Sequence, residues 1–197
     1  MSGPRLYPGN GAHPAHHEVY PLPEAEPPTA RLKRLAGKID ALEDKDAATM
    51  RKAREVTVMR REAASALYQL CRAFVDSMNA ILSRGHIVLD PPHYADGSFR
   101  DDAANLIMMN IRGRILQVEF EVTPELVSTE DFRVPYTLQG FVRGFNQELL
   151  EKDLIEEQLI FYTLEKPKAI WRFFDVRTHR SGPFDQDYLV SLLERLV

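Results

Sequence analysis

The chain has 197 residues, 44% apolar and 27% charged, with a formal net charge of −4. That is the composition of a globular protein of one domain plus appendages, and the negative balance argues against a generic polyanion binder. No window approaches the ~18 consecutive apolar residues that a membrane-spanning helix needs.

The charge is unevenly spread. Residues 29–84 carry 12 Lys and Arg against 7 Asp and Glu, whereas 85–197 carry 12 against 19. A basic part and an acidic part can attract one another within or between chains. The single cysteine, Cys71, has no internal disulfide partner and stands among Leu67, Leu70 and Phe74, where a thiol acts as a small hydrophobe. With no apolar leader visible from Met1 to Asn10, the expectation is a cytoplasmic protein.

Residues 1–28 hold seven of the thirteen prolines and three of the ten glycines, so a disordered Pro/Gly/His-rich tail is expected. Its His13, His16 and His17 are close enough to chelate a divalent ion, but a solvated polar tail supplies no preorganised second shell, and no metal is assigned.

Residues 29–84 read as a helical arm. Thr29 is a candidate cap, and Leu32, Leu35, Ile39 and Leu42 recur at steps of three and four. Asp44-Lys45-Asp46 interrupts that seam, as a break or as part of one helix. Beyond it Val56, Met59, Ala63, Leu67, Leu70, Phe74, Met78 and Ile81 return to one face, and Gly85 is a natural stop. An unbroken helix would reach about 80 Å at roughly 1.5 Å per residue, longer than any sheet it covers. The first seam therefore needs a second helix, supplied by a coiled-coil dimer or by a helical hairpin turning at 44–46.

Residues 85–197 read as a sheet domain. His86 to Asp90 is a short strand, and Asp90 to Gly97 a loop of turn formers. A hairpin through Arg112-Gly113 sets Met109 opposite Leu116 and Ile107 opposite Val118. Val134, Tyr136, Leu138 and Val142 make a further unit on the same face, with a bulge or bend at Gly140 and Gly144. Asn146 caps a short helix through Lys152, stapled by Phe145 on Leu150. A second hairpin, turning at Lys166-Pro167, opposes Tyr162 with Trp171 and Ile160 with Phe173. Ser181-Gly-Pro183 turns the chain into a last helix, capped by Asp185, with Leu189, Leu192, Leu193 and Leu196 on one face. The fold class is α+β: a long N-terminal helix, or helical hairpin, on one face of a curved antiparallel sheet of about six strands, with a C-terminal helix.

No catalytic or cofactor motif rises above chance spacing. Asp90, His93 and Asp96 suit turns better than acid-base or metal chemistry. Arg51-Lys-Ala-Arg54 and Arg60-Arg61 have no aromatic residue among them for base stacking, which fits a solvated helix face rather than nucleic-acid binding. Cys71 lacks the histidine base a nucleophile needs.

One feature resists a purely structural account. The second face of the second hairpin is also apolar, through Leu159, Phe161, Ile170, Phe174 and Val176. The leading expectation is a non-enzymatic adaptor or chaperone-like protein, with a protein partner or a second copy on the helical arm and a docking face anchored by Phe161, Arg172 and Phe174. The alternative is a ligand or active-site pocket in the curved sheet, with Tyr136, Tyr162 and Trp171 as walls and Asp175, Arg177 and His179 as polar groups along the last strand.

Overall fold

A computed structural model describes residues 27–128, 133–146, 156–165 and 168–197. The three tail histidines, the Lys166-Pro167 turn and the short helix beyond Asn146 lie outside these residues.

Helix α1 spans Pro28–Ile81. It opens one residue before the expected cap: the Pro27 carbonyl accepts from the amides of Ala30 (2.9 Å) and Arg31 (3.2 Å), and Pro28 takes the first helical position, where its missing N–H costs nothing. Asp44, Lys45 and Asp46 are themselves helical, so no helical hairpin turns there. The described residues fall into two units, divided between Ala48 and Thr49. In the first, Leu32, Leu35, Ile39 and Leu42 are between 54% and 65% exposed.

In the second unit α1 buries Ala63, Ala64, Leu67, Tyr68, Cys71, Phe74 and Val75. This stripe is rotated from the expected seam: Leu70 and Met78 are only partly buried and Ile81 is 80% exposed, while Tyr68 takes a fully buried place. The helix stops at Ile81, short of Gly85. Both ends of the Asn79 amide then hold the Ile87 backbone, Oδ1 accepting from its N–H at 2.7 Å and Nδ2 donating to its carbonyl at 3.0 Å.

Among the described residues seven antiparallel strands follow in simple chain order: β1 Val88–Asp90, β2 Asn105–Ile111, β3 Arg114–Val127, β4 Tyr136–Asn146, β5 Glu156–Thr163, β6 Ile170–Asp175 and β7 Arg180–Pro183. Helix α2, Gln186–Leu196, completes an α+β architecture with an open antiparallel sheet. The expected registers hold: Ile107 opposes Val118, Met109 opposes Leu116, Ile160 opposes Phe173 and Tyr162 opposes Trp171. Arg112 and Gly113 both have positive φ, 52° and 90°, as a two-residue hairpin turn demands, and the Asn110 side chain accepts from the Gly113 amide. The extra strand is β7, which occupies the segment expected to be a turn. It lies at the sheet edge, where Pro183 removes no ladder bond from a further neighbour, and Gly182 makes room for the Phe173 ring opposite.

The main core lies between the helices and one sheet face, where Ile107, Met109, Leu116, Val118, Phe120, Leu138, Val142, Ile160 and Trp171 meet the α1 stripe. On α2, Asp185 caps by accepting from the Tyr188 amide, Leu189, Leu192 and Leu193 are buried, and the Tyr188 ring stacks on Phe173 with centroids 3.9 Å apart. The β3–β4 register shifts between Val122↔Leu138 and Val127↔Tyr136. This irregularity, not Gly140 or Gly144, breaks the alternation. Thr137 joins Leu138 on the helix side, where its hydroxyl accepts from Arg60 Nε at 2.7 Å, and Tyr136 falls on the opposite face.

Candidate functional groove

Strand side chains alternate between faces, so the register places a second set away from the helices. Glu119, Phe141, Leu159 and Phe174 form one row across β3 to β6, and Glu121, Gln139, Phe161 and Arg172 form the next. Tyr136 packs on Phe161 with ring centroids 4.5 Å apart. Tyr136, Phe161 and Phe174 make a second, smaller apolar cluster, edged by Val134 and Leu159.

Beside it lies a groove of about 520 Å³, with Tyr136, Phe141, Leu159, Phe161, Phe174 and Val176 as its apolar lining and Glu119, Glu121 and Gln139 as its polar edge. Gly140 belongs to the floor. A Cβ there would overlap the Glu119 carbonyl oxygen and sit 2.6 Å from Phe120 Cα, so β3 and β4 approach this closely only over glycine.

The polar edge is a small network. Glu119 accepts from Gln117 Nε2 at 3.0 Å and lies 3.6 Å from Arg143 Nη1. Arg143 also pairs with Glu157 and sets its guanidinium carbon 3.6 Å from the Phe141 ring centroid, a cation–π contact. Glu121 is exposed and accepts from Gln139 Nε2 at 3.1 Å. Burial pushes the Tyr136 hydroxyl pKa up. The groove thus offers aromatic surface rimmed by carboxylates. Among the described residues its lining holds no cysteine, serine or histidine, hence no nucleophile paired with an imidazole base.

Compared with protein-family models, curated proteins and solved structures, the chain matches none. Its function therefore rests on its own geometry.

Of the residues singled out for docking, Phe161 and Phe174 are brought together as groove lining, but as 6% and 5% exposed members of a packed cluster rather than as projecting anchors. Arg172 does not line the groove: Nη1 binds Glu165 at 2.8 Å and Nε donates to Ser181 Oγ at 3.4 Å. The alternative pocket set is not assembled. Tyr162 and Trp171 point into the helix-side core, Tyr136 lies on the other face, and Asp175, Arg177 and His179 are not a strand row. Strand β6 ends at Asp175, whose carboxylate accepts from the Arg177 amide and the Thr178 hydroxyl to shape the turn into β7. His179 stands exposed in that turn with φ 54°.

Cys71 is fully buried and its thiol is pushed up to about 12 by desolvation, so it stays protonated. Arg60 is no solvated helix charge, since it donates to Thr137 Oγ1 and to the Thr123 carbonyl, each at 2.7 Å. Asp90 and His93 are exposed, and no cluster of three potential metal ligands occurs among the described residues.

Proposed function

We propose that the protein is a non-enzymatic interaction module, an adaptor or chaperone-like protein of the cytoplasm, with two association surfaces. One is the helical arm. The other is the groove on the outer sheet face, which takes an extended partner segment carrying apolar side chains next to a lysine or arginine.

The observation behind this reading is the aromatic strip of Tyr136, Phe141, Phe161 and Phe174 beside Glu119 and Glu121. Aromatic residues are frequent among the few that dominate binding at protein interfaces, and the rim carboxylates, which outnumber Arg143 here, select a cationic partner and speed its approach. The groove volume also lies in the range of small-molecule sites, which supports a second reading, an apolar cationic ligand held by the same residues.

The deciding experiment is quantitative affinity capture from the native cell with three baits: wild type, Phe141→Glu and Val190→Glu. Phe141 lines the groove, and Val190 is a 38% exposed control on α2. A stoichiometric protein retained by wild type and Val190→Glu but lost with Phe141→Glu supports the module. Identical capture by all three baits refutes the groove as a docking site, and a thermal shift with small cationic aromatics but no protein capture moves the assignment to the ligand reading.

A further inference from the structure

We infer that residues 31–45 pair with the same segment of a second copy as a parallel, in-register, two-stranded coiled coil. The inference rests on the reading of the arm as an association surface and supplies its occupant and orientation.

Leu32, Leu35, Ile39 and Leu42 are helical and between 54% and 65% exposed. Their three-four-three spacing is the a, d, a, d pattern of a coiled-coil seam, with Leu32 and Ile39 at a and Leu35 and Leu42 at d. Ile39 at a with Leu42 at d is the β-branched-over-leucine combination that favours two parallel strands, while Leu32 at the other a position adds apolar contact without that preference.

The flanking charges select the same orientation. One flank, the g positions, carries Arg31, Lys38 and Lys45, and the other, the e positions, carries Ala36 and Glu43. An antiparallel pair sets g against g and brings the basic flanks together. A parallel pair sets g against the e position five residues further on in the second copy, which places Lys38 of each chain beside Glu43 of the other, twice by symmetry. Asp46 holds the next a position, where a parallel pair would juxtapose two carboxylates, so the contact ends there. The interface is short, and association is concentration-dependent.

Sedimentation of the full-length chain over a concentration series, beside thiol oxidation of Leu42→Cys, tests this. The expected results are a reversible monomer–dimer equilibrium and, for Leu42→Cys, a disulfide-linked dimer, which wild type does not give because Cys71 is buried. Glu43→Lys turns two attractive pairs into two repulsive ones and weakens the dimer about tenfold. Lys38→Glu combined with Glu43→Lys restores it, and Asp46→Leu tightens it. A monomer at every concentration overturns the inference, as does a dimer indifferent to Glu43→Lys. A dimer in which the introduced thiols do not cross-link refutes the parallel arrangement while leaving the arm as an association surface. Phe141→Glu leaves the equilibrium unchanged, so failure of the groove reading is scored separately.

Discussion

The indole nitrogen of Trp171 donates to the main-chain carbonyl of Ala63 at 2.9 Å, joining β6 to the middle of α1 across 108 positions of sequence. Two buried alanines, 63 and 64, leave room for the indole at this point of the helix. Phe120 meets the same ring edge-on at 5.3 Å and Tyr162 at 5.6 Å, so the side chain is held on three sides.

Replacing Trp171 by Phe removes the bond and part of the ring volume while keeping an aromatic group. The expected cost is about 2 kcal/mol, from a lost buried hydrogen bond and a small cavity. Urea unfolding followed by far-ultraviolet circular dichroism reads it, and an unchanged midpoint would mean that the strand–helix contact adds nothing to stability.

Arg60 performs a second tie, between α1 and the β3–β4 irregularity. Its guanidinium reaches the Thr137 hydroxyl and the Thr123 carbonyl together, and both residues are buried. Arg60→Met keeps the aliphatic stem but removes two charge-assisted donors, for an expected loss of about 2–3 kcal/mol. Arg60→Lys recovers little, because an ammonium does not reproduce two donors fixed in a planar fork. Full stability of the lysine variant would show that charge alone, not the fork, makes this contact.

Much of this fold is legible in residue pattern, and the illegible parts share a cause. Both hairpin registers follow from apolar alternation around their turns, because a slip of one residue would send Ile107, Val118, Tyr162 and Trp171 to water together. The apolar outer face of the second hairpin is visible in the same way, since Leu159 and Phe161 interleave with Ile160 and Tyr162. Tyr136 and Thr137 are not, because one irregularity in pairing exchanges the faces of everything before Leu138. Arg60 resembles any surface charge until the backbone bulge that receives it exists. Strand β7 is hidden in a Ser-Gly-Pro run whose turn-forming composition is overridden by pairing with β6. Local spacing carries faces and registers; contacts made across the sheet irregularity are tertiary and leave no local trace.

Gly140 tests whether the close approach of β3 and β4 is obligatory. The methyl of Gly140→Ala would strike backbone atoms, which cannot rotate aside as a side chain does. Overpacking of this kind costs about 1–3 kcal/mol and is expected at the upper end here. At Gly144, four residues along the same strand, an added Cβ lies 3.6 Å from Leu196 Cδ1, an ordinary contact. Gly144→Ala is therefore expected within about 0.5 kcal/mol of wild type, the usual range for substitutions that disturb no special feature. Equal unfolding midpoints for the two variants would remove steric need as the reason for glycine at 140.

Alkaline pH addresses the buried thiol. Burial lifts Cys71 from an ordinary 9.0 to about 12 in the folded chain, so between those values only the unfolded chain releases the proton. A raised folded-state pKa means stability that is complete below pH 9 and lost as pH climbs toward 12, by up to about 4 kcal/mol for a three-unit difference. Tyr94, whose hydroxyl burial raises from 10.0 to about 12, adds to the same decline in every variant. Cys71→Ala gives up about 1 kcal/mol at neutral pH through the small void it leaves. It also loses the thiol's share of the alkaline decline, so the wild-type and alanine curves converge, and cross, on raising the pH. Urea midpoints at pH 7 and at about pH 10.5 measure the difference in slope. Parallel curves would show that the thiol ionises as readily in the folded chain as in the unfolded one, which a side chain sealed between α1 and the sheet does not do.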